Sequence, residues 1–195
     1  MTTLTSEAEN SRFLDRIDTP LGSLAIVTDN RGVLQAVGFV DGHERMDRFL
    51  GAFAHSNASA ETNVRLCEGS LPGSAKAALV RYFEGDVTAI DTLEVAETGT
   101  PFQRLVWRTL RTIPCGETWS YGRLAKAIGN PNAVRAVGLA NGQNPVGVVV
   151  PCHRVIGADG SLTGYGGGIE RKRWLLAHEG HEKFAEKALS LPGFA

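Results

Sequence analysis

The spacing of apolar residues changes character about halfway along the chain. Residues 22–29 (GSLAIVTD) and 32–40 (GVLQAVGFV) are β-rich apolar runs. Between them Asp29, Asn30, Arg31 and Gly32 favour a tight reversal, so the pattern predicts a hairpin. The preceding RFLDRID, residues 12–18, adds a third candidate strand. Met46, Phe49, Leu50 and Phe53 recur at helical spacing within residues 44–53, and residues 75–83 read as a second helix stopped at Gly85. Residues 56–63 (Ser, Asn, Ala, Thr) read as a loop, and AETGT, residues 96–100, as a joint between domains. Residues 1–11 read as a disordered tail.

Past residue 100 the helical pattern dominates. In TPFQRLVWRTLRTIP, Thr100 is suited to cap a helix, Pro101 to its first position, and Gln103 to complete a capping box. Phe102, Leu105, Val106, Leu110 and Ile113 form its apolar stripe, and Pro114 ends it. In SYGRLAKAIGNPNAVRAVGLANG, Ser120 caps a short helix with Leu124, Ala125 and Ile128 inward. Gly129-Asn130-Pro131 breaks that helix and Ala133 starts another, which predicts a helix-turn-helix. An apolar, β-like segment then runs into PCHRV, residues 151–155. A glycine-rich loop, residues 157–168, leads to a last helix, residues 170–178, ending at Gly180. The expected fold is α+β: an N-terminal antiparallel sheet with helices over residues 12–95, a linker at 96–100, a mainly helical domain over 101–180, and a tail at 181–195.

Composition adds bounds to this picture. With 195 residues, 43% hydrophobic and 21% charged, the chain can bury a proper core. No apolar run approaches the roughly 20 residues needed to span a bilayer, and the polar start lacks the apolar core of a signal peptide. Three irregularly spaced cysteines, Cys67, Cys115 and Cys152, make no disulfide framework and suit a reducing cytosol. The expectation is therefore a cytoplasmic protein with no membrane partner. The five histidines show no zinc-like spacing with the cysteines, and GYGGG (residues 164–168) has no phosphate-loop lysine spacing, so neither a metal nor a nucleotide cofactor is expected. Residues 1–100 hold 8 Lys and Arg against 15 Asp and Glu, whereas residues 101–195 hold 12 against 6. An acidic half joined to a basic half is a hint of nucleic-acid binding, equally consistent with two ordinary solvated surfaces.

Two features of the basic half carry chemistry. The second helix of the helix-turn-helix, AVRAVGLAN, is built from small residues around one long cation, Arg135. Small residues such as Ala136 and Gly138 let a helix approach a groove closely, and an arginine there can enter the base stack. Arg123, Lys126, Arg154 and Arg171-Lys172-Arg173 add positive charge nearby. Cys152 stands between Pro151 and His153, and a thiol beside a histidine or cations gains thiolate character. In an extended segment neighbouring side chains point to opposite faces, so adjacency alone does not pair Cys152 with His153. Glu179 in AHEG is a candidate carboxylate to orient the histidine. From the residues alone the reading stops at a candidate reactive thiol beside a candidate DNA-binding motif. A Cys–His hydrolase, a DNA-binding protein without chemistry, and a structural cysteine all stay open. Cys67 reads as a structural residue of a helix or loop, Cys115 as a turn residue, the three tryptophans as core, and His178 as a complement to a helix C-terminus.

PCHRV, with YGRLA, NPNAVRAVG and NP upstream and GYGGG and KRWLLAHEG downstream, resembles the O6-alkylguanine-DNA alkyltransferases (methylated-DNA–protein-cysteine methyltransferases) over about residues 101–180. The resemblance implies direct-reversal repair of duplex DNA carrying O6-alkylguanine, with O4-alkylthymine as a further candidate. Cys152 would take the alkyl group irreversibly, one per molecule, from a base flipped out of the duplex. It implies that His153 acts as base through a water and that Glu179 orients it. Asn144, helped by Pro145, would hold the active-site turn, and Tyr165 would hydrogen-bond the flipped guanine. Tyr121 would press on the target phosphate, and Arg135 would fill the gap in the duplex, with Ala136, Gly138 and Arg154 also at the DNA. A monomer in solution, able to assemble cooperatively on DNA, is the expected state. Val134 and Leu139 are bulkier than the family's usual groove-facing residues, no zinc-binding cluster is present, and Gly166 removes a side chain that would touch the base.

Overall fold

The computed structural model describes residues 11–56, 65–69 and 74–188. They fall into two compact units, one ending at Thr98 and the other beginning at Gly99. Most of the expected tail at residues 1–11 and of the loop at 56–63 lies outside the described residues, as do residues 189–195. Among the described residues no helix is long and apolar enough to cross a membrane.

The fold is α+β. In the first unit β1 (Ser11–Thr19), β2 (Gly22–Asp29) and β3 (Leu34–Phe39) form an antiparallel meander. Ser11, expected in the tail, already belongs to β1. The β2–β3 turn closes because Asp29 Oδ1 accepts from the Arg31 and Val33 amides while Gly32 takes a positive φ of 85°. A fourth strand, β4 (Arg65–Glu68), pairs parallel with β1, giving the order β3-β2-β1-β4. Its four residues are too few to show a period, so it was not expected, and Cys67 sits on this edge strand rather than in a helix or loop. Leu24, Ala25, Ile26 and Val27 of β2 are all buried, so both faces of the sheet are covered. α1 (His43–Ser56) covers one, packing Met46, Phe49 and Phe53 onto Leu14, Ala25, Val27 and Ala36. It comes so close at Gly38 that a Cβ there would lie 2.9 Å from the Phe49 ring. α2 (Ser74–Phe83) lies against β1.

The second unit opens with α3 (Pro101–Leu110), started by the expected capping box: Thr100 Oγ1 accepts from Gln103 N, and Gln103 Oε1 accepts from Thr100 N. Its buried stripe is Val106, Trp107 and Leu110; Leu105, assigned inward from the sequence, is 44% exposed. Leu105 and Val106 are adjacent, and a helix turns about 100° between them, so only one can sit at the centre of the buried face. The helix stops at Leu110, and Ile113 is buried in the turn beyond. β5 (Trp119–Ser120) leads into α4 (Tyr121–Ala127), capped by Ser120, and α5 (Val134–Gly142) follows. A 3-10 turn (Cys152–Arg154) runs into β6 (Val155–Ile156), which pairs parallel with β5. α6 (Ile169–His178) follows the glycine-rich loop. It is not the last helix: α7 (Glu182–Ala188) occupies the start of the expected tail.

Candidate active site

Cys152 is held by a turn, not by a strand. The apolar residues before it looked β-like, but their chain doubles back. Val146 N donates to Asn144 Oδ1 at 3.0 Å, and Asn144 Nδ2 donates to Val150 O at 2.8 Å. Val148, within this loop, takes φ 69°, a left-handed conformation that a β-branched residue adopts only when its surroundings impose it. The apolar run instead buries Val146, Val148, Val149 and Val150 without a ladder. Asn141, on the inner side of α5, reaches Cys152 O at 3.5 Å. Sequence reading missed it, although Val137, Ala140 and Asn141 share the i, i+3, i+4 spacing of one buried helix face.

The 3-10 turn gives successive side chains separate directions and inserts His153 and Arg154 into the interior. His153 is fully buried, with Nε2 2.9 Å from Glu179 Oε1, while its Nδ1 is buried without a protein partner. Arg154 grips the same carboxylate, Nε to Oε2 at 2.7 Å and Nη2 to Oε1 at 2.9 Å, and donates from Nη1 to Ile113 O at 2.6 Å. Arg154 was expected at the DNA; the structure instead uses it as a buried counter-ion. Burial by itself would raise the pKa of Glu179, yet His153 and Arg154 together hold the carboxyl well below the ordinary range.

Burial pushes the Cys152 thiol upward, opposed by a hydrogen bond with Asn144 and the charge of Lys172. Lys172 was counted with the surface cations, but it is completely buried and donates from Nζ to Val155 O and Thr163 O, both at 2.6 Å. Burial lowers this lysine to about 8, countered by the nearby Cys152. Nothing in ERKRW distinguishes the inward lysine from its neighbours except that Lys172, Leu175 and Leu176 share one face.

Around the thiol stand two tyrosines. The Tyr165 ring meets His153 edge-on at 6.5 Å between centroids, and burial, then the proximity of Cys152, raises its hydroxyl well above the usual value. Tyr121, first residue of α4, is half-buried and raised by burial, an effect moderated by a hydrogen bond with the Thr163 side chain. A Cβ on Gly138 would lie 3.8 Å from the Tyr121 ring, and one on Gly164 3.6 Å from its hydroxyl, both ordinary contact distances that place these two glycines against the tyrosine. On α5, Arg135 and Ala136 are exposed, Val134 is 39% and Leu139 64% exposed, whereas Trp107 Nε1 donates to Ala140 O at 2.8 Å and fixes the inner side. Of the other tryptophans, Trp119 lies under the Arg123 guanidinium and Trp174 stacks on His178; both are only half-buried.

One unit therefore combines a helix-turn-helix that leaves an apolar, arginine-bearing face open with a cysteine whose neighbouring histidine is backed by a buried carboxylate. Residues 101–181 match the family model described as 6-O-methylguanine DNA methyltransferase, DNA binding domain. A methylated-DNA–protein-cysteine methyltransferase of Shigella flexneri is 48% identical over 167 residues, 86% of this chain and 95% of that one. One from Mycobacterium tuberculosis is 52% identical over 136 residues, 63% of this chain and 82% of that one. The solved structure of Mycobacterium tuberculosis OGT in complex with DNA aligns with a TM-score of 0.66 and 41% identity, covering 87% of this chain and 92% of that one. The chain belongs to the methylated-DNA–protein-cysteine methyltransferase family.

Proposed function

We propose that this protein repairs duplex DNA by moving the alkyl group of O6-alkylguanine onto Cys152 Sγ. The observation that carries the reading is the His153–Glu179 pair buried beside Cys152, in the same unit as the open face of α5. A base inside a duplex hides its O6 substituent, so the nucleotide must be extruded before a thiol can reach it. The exposed face of α5 enters the minor groove, with Arg135 filling the gap left by the base and Ala136 and Gly138 allowing close approach. Leu139 adds an apolar contact that carries no counter-ion. Tyr121 presses on the target phosphate.

The chemistry is an in-line displacement at saturated carbon. The S–C bond forms as the C–O6 bond breaks, and the thioether product leaves guanine with its carbonyl restored. The thiol proton passes through one water to His153 Nδ1, the ring nitrogen without a protein partner, while Nε2 faces Glu179. Tyr165, whose raised hydroxyl stays protonated, donates a hydrogen bond to the departing base. The guanine takes up one proton as it leaves, which balances the one lost by the thiol. Water does not cleave a thioether at useful rates, so each molecule acts once. Gly166, with nothing within 4 Å of a Cβ placed on it, leaves room for alkyl groups larger than methyl. The protein works as a cytoplasmic monomer, with the two units meeting within residues 96–100.

The test is intact-protein mass after incubation with excess duplex containing one O6-methylguanine, for wild type and Cys152→Ala. One methyl per molecule, located on Cys152 and absent from the variant, is the expected result. Lesion binding with no mass change would leave a recognition protein without chemistry, and neither binding nor mass change would sink the repair reading.

A further inference from the structure

The family model ends at residue 181, and α7 begins at Glu182. This short helix nevertheless reaches the segment between the nucleophile and Tyr165 at several points. Phe184 is 6% exposed and packs with Ile156 and Leu176, against which Leu162 also lies. Ile156 is the end of β6 and Leu162 stands three residues before Tyr165, so the apolar cluster that Phe184 completes supports both ends of the intervening turn. That turn is closed by Gly157 N to Ser161 O at 2.9 Å and Gly160 N to Gly157 O at 3.0 Å. Lys183 Nζ donates to Gly160 O at 3.2 Å, at the turn's outer end. At the start of the helix, His181 Nε2 lies 3.3 Å from Thr118 Oγ1, three residues before Tyr121.

The turn has little apolar surface of its own. Residues 157–161 are Gly, Ala, Asp, Gly and Ser, and a glycine-rich segment loses more freedom on ordering than any other. Its shape therefore depends on what it packs against. We infer that α7 is a positioning element of the pocket: Phe184 and Lys183 hold residues 156–162 in the one conformation that sets Tyr165 at its working distance from Cys152. The inference rests on the alkyl-transfer reading, since only that reading makes this distance matter. The contacts named above run from α7 to the turn, so it acts through the turn.

The test uses full-length Phe184→Ala, with Phe184→Leu as the conservative variant, in single-turnover transfer from a duplex containing O6-methylguanine. Misplacement of reacting groups by about 1 Å costs up to about 100-fold in rate, and release of this turn is expected to slow transfer by about tenfold in Phe184→Ala. The final methyl count stays at one per molecule, affinity for undamaged duplex stays unchanged, and hydrogen exchange in residues 157–165 quickens. Phe184→Leu restores the rate to within about twofold of wild type. A lower methyl count with a wild-type rate constant in the surviving fraction shows α7 to be structural only and overturns the inference. Unchanged exchange and rate overturn it too. If Phe184→Ala does not fold, the exposed Lys183→Met serves instead: slower transfer supports the inference, and an unchanged rate refutes it. Failure of the wild type to gain a methyl defeats the repair reading itself, a result distinct from any of these.

Discussion

Arg154 is ion-paired with Glu179 inside the second unit, with Nε 2.7 Å from Oε2. As a DNA contact it would sit on the surface; in the fold its side chain is 6% exposed and its Glu179 partner 0%. Arg154→Met removes the charge while keeping most of the volume. Glu179 then retains His153 but loses two charged hydrogen bonds, and Ile113 O loses its donor. Breaking a buried pair from one side costs about 3–5 kcal/mol, because the remaining charge is stranded. That is a large part of the ~5–15 kcal/mol that holds a domain together. Urea unfolding at low temperature reads the loss. In Arg154→Met/Glu179→Gln no charge is stranded, so the double variant recovers about 2 kcal/mol relative to the sum of the single changes. Binding of undamaged duplex across a salt series supplies the second readout. Each phosphate contact contributes about 0.9 to the slope of log affinity against log salt. Arg154→Met leaves that slope unchanged, whereas Arg135→Ala, which removes a cation from the exposed face of α5, makes it shallower. A stable Arg154→Met protein with a shallower salt slope would put the guanidinium on the DNA and end its role as the counter-ion of Glu179.

Further outcomes follow from the same interior. Glu179 is held below its ordinary carboxyl value in the fold, so its contribution is present above about pH 4.5 and is lost as the pH falls further; Glu179→Gln flattens this acid limb in urea midpoints. Lys172 is lowered to about 8 from 10.5, so between those values the unfolded chain binds more protons and stability rises with pH. Relative to Lys172→Met, wild type is expected to gain ~2–3 kcal/mol across that window in denaturant titrations. Gly138→Ala meets only ordinary contact with Tyr121 and removes a helical glycine, so the melting temperature rises by the equivalent of ~0.5–1 kcal/mol. The added methyl stands beside the groove-facing side of α5, so affinity for duplex falls, as fluorescence anisotropy will report. Trp107→Phe leaves Ala140 O without its indole donor and costs ~1–3 kcal/mol in urea.

Much of this protein is legible in sequence where local rules act alone. The capping box at Thr100, the Ser120 cap and the Asp29 turn depend on residues within four positions of one another, and all three form as their chemistry dictates. What escaped depends on partners far away in the chain. β4 has four residues and no period; its pairing comes from β1, more than fifty positions earlier. The valines before Cys152 carry strand propensity, yet Asn144 and burial turn them into a loop. Arg154 and Lys172 look like surface cations because one-dimensional pattern cannot show that Glu179, Val155 O and Thr163 O await them inside. Glu179 stands in the sequence as one candidate carboxylate for His153, and only the resemblance joins the two, since no spacing rule links positions 153 and 179. Their hydrogen bond is a product of where α6 ends.

The smallest sheet in the molecule has a consequence for how the sequence can change. β5 and β6 share two residue pairs, Trp119 with Val155 and Ser120 with Ile156. Tyr121 follows one strand immediately, and Cys152 precedes the other by three residues. The offset between Tyr121 and Cys152 is thus measured out by main-chain rungs, which every residue but proline can supply on both sides. Substitutions that respect the Ser120 cap and the buried Val155 and Ile156 leave that offset unaltered. A single inserted residue in either strand would shift it by about 3.3 Å. The active site is in this respect tolerant of spelling and intolerant of length.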